Sequence, residues 1–351
     1  MSFPFVQPYF GLGNSLQTAQ AGGAGGIGGW VELGRTTFGG GGKSYSVDSL
    51  PDKRYYMILV NNFQSAQTEG DCWRVNSDSG SNYSGRSSLN GASDTTFTSK
   101  TKTGFFGFHP YSQPSFAVSH YANLSSKEKL GITHAVGHGS NVSGAGNAPD
   151  RGETIQKWAN TSNSIDEFQQ FNAWNNYDSG SEMVVLGWDP DDTHTTNFWE
   201  ELASIDTTTS SDMDTGTFTA KKYLWVQLFV EASGGIIYDA RFNGDSGSNY
   251  AYRKSTNGGA DGTTTSDSVM FSNHGFGSHP HYENWFIINN ASNEKLVIGN
   301  SMSQGSAGAG NAPNRQERAG KWANTSDQIT QITINNGGIS TRYVCKVWGS
   351  D

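Results

Sequence analysis

Short stretches in which apolar and polar side chains alternate recur along the whole chain. In YLWVQLFV, residues 223–230, every second residue from Leu224 to Val230 falls on one face of an extended strand. Similar runs, rich in β-branched and aromatic residues, occur at 54–60, 115–121, 183–188, 285–288, 295–299, 329–334 and 342–348. No window carries a long period of 3.6 residues. The pattern predicts many short β-strands, with helical turns considered only at SSKEK (125–129) and FWEELAS (198–204).

Two distant parts of the chain share the same sequence. GAGNAPDRGETIQKWANTS at 144–162 and GAGNAPNRQERAGKWANTS at 308–326 match at 14 of 19 positions. DSGSNY occurs at both 78–83 and 245–250. Because solenoid repeats run about 20–50 residues, so long a period indicates a duplicated domain. The matches continue outward in the same order through pairs that include Trp30 and Trp199, Glu128 and Glu294, Lys129 and Lys295, Trp158 and Trp322, and Trp188 and Trp348.

The duplication divides the chain into module one (30–189), a connector (190–198) and module two (199–351). Each module is long enough to bury a core of its own. Many short strands separated by Gly, Asn, Asp and Ser predict an all-β fold of two tandem jelly-roll-like β-sandwich domains. Asn-Gly at 90–91 and at 257–258 would form turns, because both residues tolerate positive φ.

An extended Gly-rich N-terminal arm, residues 1–29, precedes the two modules. It joins an apolar beginning to AGGAGGIGG and has no counterpart before module two. Two interpretations remain open: an arm that orders on a partner, or a flexible tail. In the first, the apolar anchors that dock on the partner would be Phe3, Phe5, Tyr9 and Phe10.

Composition excludes several classes of protein. A net charge of −9, without any run of Lys or Arg, argues against binding nucleic acid. No stretch approaches the roughly 20 apolar residues of a membrane helix. The first residues lack the basic and apolar regions of a secretory signal, so we expect synthesis in a host cytoplasm. Two cysteines at unequal places in the repeat do not indicate a disulfide framework.

Few residues have the spacing of a catalytic or metal site. His134 and His138 are four residues apart, but glycines flank His138, which favours an exposed loop pair over a helical metal site. The repeated acids do not indicate the pair of carboxylates, one proton donor and one nucleophile, that a glycosidase needs. No Gly-x-Ser-x-Gly nucleophile turn occurs either. The sequence therefore predicts no enzyme, no metal and no cofactor.

The repeated DSGSNY turns hold the remaining candidates. Asp78 and Asn82, and their repeats Asp245 and Asn249, are candidate loop contacts for a glycan or calcium. Alternatively, each carboxylate holds its own turn or pairs with a nearby arginine. The repeated tryptophans have two interpretations as well: sugar-stacking surfaces or core side chains.

Longer motifs carry a resemblance to a known family. GGWVELGRTTF, KRYYMILV, RVNSDSGSNYSGRSSLNG, GSEMVVLGWDPDDTHTTNFWEELAS and ARFNGDSGSNYAYRKSTNGGADGT resemble uncharacterised virion structural proteins encoded by marine tailed viruses. The resemblance covers both modules and implies a virion setting. It implies no catalytic residues.

These observations favour a non-enzymatic virion structural protein that decorates or cements the capsid exterior. The expected partners are the major capsid protein or other virion proteins, and a homotrimer or homodimer is expected. The alternative is a carbohydrate-binding fibre or receptor-recognition protein that contacts host glycans. A polysaccharide-acting enzyme ranks last, because no paired acids are found.

Overall fold

The computed structural model describes residues 29–63, 72–104, 114–138, 143–172, 176–192, 197–231, 239–271, 280–335 and 341–351. The proposed anchors Phe3, Phe5, Tyr9 and Phe10 lie outside these residues. The described residues form twenty-three β-strands. They hold no helix with the length and apolar character needed to cross a membrane.

Module one is built from the first twelve strands. These are β1 (Val31–Thr37), β2 (Ser44–Val47), β3 (Tyr55–Asn62), β4 (Cys72–Val75), β5 (Tyr83–Leu89), β6 (Thr95–Lys100), β7 (Thr103–Gly104), β8 (Ser115–Ala122), β9 (Lys129–Gly137), β10 (Asp150–Trp158), β11 (Phe168–Phe171) and β12 (Glu182–Trp188). The large sheet has the order β1-β12-β3-β8-β9-β10-β5-β6, and the small sheet has the order β2-β11-β4-β7.

Module two repeats this plan. Its strands are β13 (Glu200–Thr209), β14 (Met213–Asp214), β15 (Tyr223–Glu231), β16 (Asp239–Phe242), β17 (Tyr250–Thr256), β18 (Gly262–Asp267), β19 (His281–Ile288), β20 (Lys295–Ser303), β21 (Asn314–Trp322), β22 (Ile332–Asn335) and β23 (Thr341–Ser350). The large sheet has the order β13-β23-β15-β19-β20-β21-β17-β18, and the small sheet has the order β14-β22-β16.

In both modules the chain passes repeatedly between a large and a small sheet, which gives a jelly-roll-like sandwich. The prediction of an all-β fold with two tandem β-sandwiches is confirmed. FWEELAS, considered as a helical turn, instead leads into strand β13. The Asn-Gly turns have positive φ at both residues, 53° and 72° at Asn90-Gly91 and 52° and 74° at Asn257-Gly258.

The strand registers match between the modules, so equivalent positions can be assigned. Trp158 pairs with Lys129 in one large sheet, as Trp322 pairs with Lys295 in the other. One pairing proposed from sequence is wrong. Trp188 lies opposite Tyr55 and Trp348 opposite Trp225, two residues further along the equivalent strand. Trp348 is therefore equivalent to Leu186, and Trp188 is equivalent to Ser350.

Each sandwich encloses its own core. In strand β15, Leu224, Val226, Leu228 and Val230 point into the core of module two. Tyr223 and Trp225 point to the opposite face of the same strand and are also buried. They belong to a third apolar cluster that draws side chains from both large sheets. The two large sheets therefore pack face to face, and the sandwiches join into one four-sheet stack.

Candidate functional site: a cleft between the two modules

The large sheets meet so that equivalent strands face each other. The rings of His120 and its equivalent Phe286 lie 6.3 Å apart, centroid to centroid, across the interface. Beside them, Arg151 Nη1 lies 3.5 Å from Glu317 Oε2. Burial, together with the neighbouring Glu153, raises the pKa of Glu317. Because Glu153 is the equivalent of Glu317, this line of residues marks a pseudo-twofold axis.

One side of this axis is tightly packed, and we call it the closed side. Here the ring of Phe116 lies 6.2 Å from that of Tyr223. The Tyr223 hydroxyl donates a hydrogen bond of 2.7 Å to Glu182 in module one. His138 Nε2 lies 2.9 Å from Glu294 Oε2, and both side chains are buried. Burial alone would raise the pKa of Glu294, but the contact with His138 holds it below its usual value.

The GAGNAPDR segment of module one covers the closed side. The backbone NH of Gly144 donates to the Glu294 carboxylate. Ser266 N donates 2.7 Å to the carbonyl of Ala145, and Arg253 Nε donates 2.9 Å to the carbonyl of Pro149. The equivalent segment of module two, GAGNAPNR, has no such role, because residues 306–313 are all exposed. One copy of the repeated segment is thus an interface and the other is surface.

The other side of the axis, the open side, is splayed. Three apolar side chains on the large sheet of module two are buried: Leu296 (0 % exposed), Ile298 (4 %) and Ala319 (0 %). Their equivalents in module one lie on the open side and are exposed: Leu130 (55 %), Ile132 (38 %) and Ile155 (52 %). The sheets therefore form a wedge that is shut at one end and open at the other.

The open side contains a cleft of about 450 Å³. Its floor is apolar and includes Trp30, Met57, Trp225 and Phe286. A second hollow of about 560 Å³ on module one shares Trp30, His120 and Ile132 with the cleft. Tyr55 and Trp188 also line the hollow, and their rings stack with centroids 5.3 Å apart. The cleft and the hollow therefore adjoin at the three residues that they share, and we call the two together the groove.

The two walls of the cleft differ in chemistry. On module two, Gln227, Tyr282 and Asn284 line it. Gln227 Nε2 donates 2.7 Å to the Tyr282 hydroxyl, and Trp225 Nε1 donates 2.6 Å to Asn284 Oδ1. By strand register, the equivalent residues of module one are all apolar and buried: Leu59, Phe116 and Val118. The repeats have therefore diverged from apolar to polar where the sheets do not close.

Two histidines lie along the cleft. Burial lowers the pKa of His120 to about 4, and the nearby His134 adds to that shift. Burial also lowers the pKa of His134 to about 4. Both rings are therefore neutral at pH 7. The expectation that His134 and His138 form an exposed loop pair is wrong, because His134 lies inside β9 and His138 is buried against module two.

The candidate turn residues hold the sandwich of their own module together. Asp78 accepts hydrogen bonds from Gly80 N (2.8 Å), Asn82 Nδ2 (2.9 Å) and Trp158 Nε1 (2.6 Å). Burial alone would raise the pKa of Asp78, but the bonds from Trp158, Asn82 and Gly80 keep it below its usual value. These contacts give the repeated residues a structural role. The same bonds recur at Asp245, from Gly247, Asn249 and Trp322.

The repeated KWANTS segments complete this network. Lys129 Nζ donates 3.0 Å to the carbonyl of Asn160, and Lys295 Nζ donates 2.9 Å to that of Asn324. Trp158 and Trp322 are core side chains, each 1 % exposed. Among the repeated tryptophans, Trp30 is the one that lines the cleft. Within the described ranges no cluster of three or more His, Cys, Asp or Glu is arranged to hold a metal ion.

Comparisons with known proteins show only distant similarity. No family model matches the chain, and no curated protein matches it. Domains LG4-5 of the mouse laminin alpha1 chain are 10% identical, with 90% of this chain and 88% of that chain covered and a TM-score of 0.21. The LG1-3 region of the laminin alpha2 chain is 9% identical, with 91% and 62% covered and a TM-score of 0.22. The chain spans about three fifths of that second structure. At these scores the similarity says nothing about function.

Proposed function

We propose that this chain is a non-enzymatic structural protein of a virion, which decorates or cements the capsid exterior and contacts the major capsid protein. The observation that supports this proposal is the fusion of the two sandwiches. Their large sheets bury a shared apolar cluster. Ionic contacts also join the two modules, such as that of Lys222 Nζ with Glu182 (2.9 Å). Two similar modules packed in this way present two similar surfaces at a constant distance and orientation, which suits binding to the repeated sites of a capsid lattice.

Two further observations support the proposal. The motifs resemble virion structural proteins, and the net charge of −9 suits a soluble exterior component. Self-association into a dimer or trimer belongs to the same proposal.

The test is to locate the protein on particles. Gradient-purified particles from its source are labelled with a specific antibody and gold. Label distributed over the head is the expected result, and binding of purified chain to particles should fall when residues 1–29 are deleted. Label confined to tails or fibres would favour the receptor-recognition alternative. Absence from the particle fraction would reject the virion proposal.

A further inference from the structure

We propose that the open-side cleft is a binding site for a neutral saccharide, which enters between the two modules and continues along the groove toward Trp188. This site does not depend on where the protein resides. Two features of the molecule support the site: the chemistry of the cleft walls, and the difference between the two sides of the pseudo-twofold axis.

The two walls of the open-side cleft differ in polarity. On the closed side, apolar side chains of both modules meet and exclude water. On the open side, the apolar Ile132 of module one lines the same cleft as the amides of Gln227 and Asn284 of module two. Closing the sheets there would strip water from amide groups without offering hydrogen-bond partners, which is costly. An occupant must therefore be apolar on one face and polar on the other.

A pyranose ring has this character, because its C–H groups form an apolar face and its hydroxyls form a polar rim. Planar aromatic side chains suit the apolar face. Trp30 lines both the cleft and the hollow, and the stacked Tyr55 and Trp188 rings line the hollow. The opposite wall supplies hydroxyl and amide groups, each of which can both donate and accept hydrogen bonds. Concave, mostly apolar sites with a few polar groups are the usual form of small-ligand sites.

The charges favour a neutral ligand. The polar wall consists of amides and a phenol, and both histidines are neutral at pH 7. The guanidinium of Arg315 at the rim is already balanced by Glu317, with Nη1 and Oε1 3.2 Å apart. An anionic sugar would find no unbalanced cation among these residues.

The experiment uses the full chain and a panel of neutral oligosaccharides built from glucose, galactose and mannose. Binding is followed by the fluorescence of the cleft tryptophans and measured by titration calorimetry. Two variants test the walls. Asn284→Val installs the residue found at the equivalent position of module one, and Ile132→Gln makes the apolar wall polar at an exposed site. We expect each to weaken binding about tenfold or more, since each removes complementarity to one face of the ring.

Asn163→Ala is the matched control, because it removes an exposed amide from the loop that leads to the small sheet of module one and should leave binding unchanged. Three outcomes would overturn the proposal. One is that no member of the panel binds. The second is that binding is insensitive to Asn284→Val and Ile132→Gln, which would place the site elsewhere. The third is that lauric acid occupies the cleft while every saccharide fails, which would assign it to acyl chains. Circular dichroism shows whether each variant keeps the β-sheet fold.

Discussion

Substitution of two equivalent leucines tests whether the interface is closed on one side only. Leu296 is fully buried on the closed side, whereas its equivalent Leu130 is 55 % exposed on the open side. Removing three carbon groups from a buried site costs about 2.4 kcal/mol at about 0.8 kcal/mol each, and the cavity left behind adds about 1 kcal/mol. Leu296→Ala should therefore lower the free energy of unfolding by about 3 kcal/mol. Leu130→Ala should lower it by about 1 kcal/mol or less, because less than half of that side chain is covered.

The measurement is urea unfolding followed by tryptophan fluorescence, with each variant compared with the unsubstituted chain. An unchanged dependence on urea concentration shows that the amount of surface exposed on unfolding is the same. Equal losses for the two variants would refute the reasoning. They would mean that the sheets close symmetrically in solution and that the cleft described above is not open.

Three further predictions concern charged and titratable groups. Glu294→Gln should lower the free energy of unfolding by about 2–4 kcal/mol, because the buried ammonium group of Lys321, 3.6 Å from Glu294 Oε2, would lose this carboxylate. Glu128→Gln at the equivalent exposed position should cost less than about 1 kcal/mol, and urea unfolding of both variants checks the difference. Asp245→Asn should cost about 1–2 kcal/mol by weakening the bonds that the carboxylate accepts, and thermal unfolding with no loss of midpoint temperature would contradict it. The pKa of His134 is lowered to about 4 by burial, so its contribution to stability is complete above pH 6.5 and declines as the pH falls toward 4; at pH 5 the loss approaches about 2 kcal/mol, and His134→Asn should flatten the stability profile over that range.

The strands could be predicted well from sequence. The alternation in 223–230 predicts a strand, and β15 covers Tyr223–Glu231. The duplication predicts two sandwiches, and the repeated segments have the same strand pairing in both modules. A further signal was present in MILV at 57–60, an unbroken apolar run of the kind found in strands buried on both faces. It indicates that a second layer covers the large sheet.

The cleft could not be predicted in the same way, because it depends on the angle at which the two large sheets pack against each other. Asp78 and Asp245 are repeated, and each accepts hydrogen bonds within its own sandwich, so repetition here marks residues that the structure of each sandwich needs. The cleft is marked by the opposite signal, a change between repeats. Val118 and Asn284 occupy equivalent strand positions, and only a position-by-position comparison of the strand registers reveals that the apolar residue has become polar.

The order of the strands has a consequence for folding during synthesis. In each large sheet the last strand of the module lies between its first and its third strand, as β12 does between β1 and β3. A module therefore cannot complete its sheet until its final strand has left the ribosome. Module one reaches that point at Trp188, but Leu59 and Val118 on its outer face stay uncovered until module two has formed. During that interval the incompletely synthesised chain exposes an apolar sheet face. Such a surface binds chaperones or promotes aggregation.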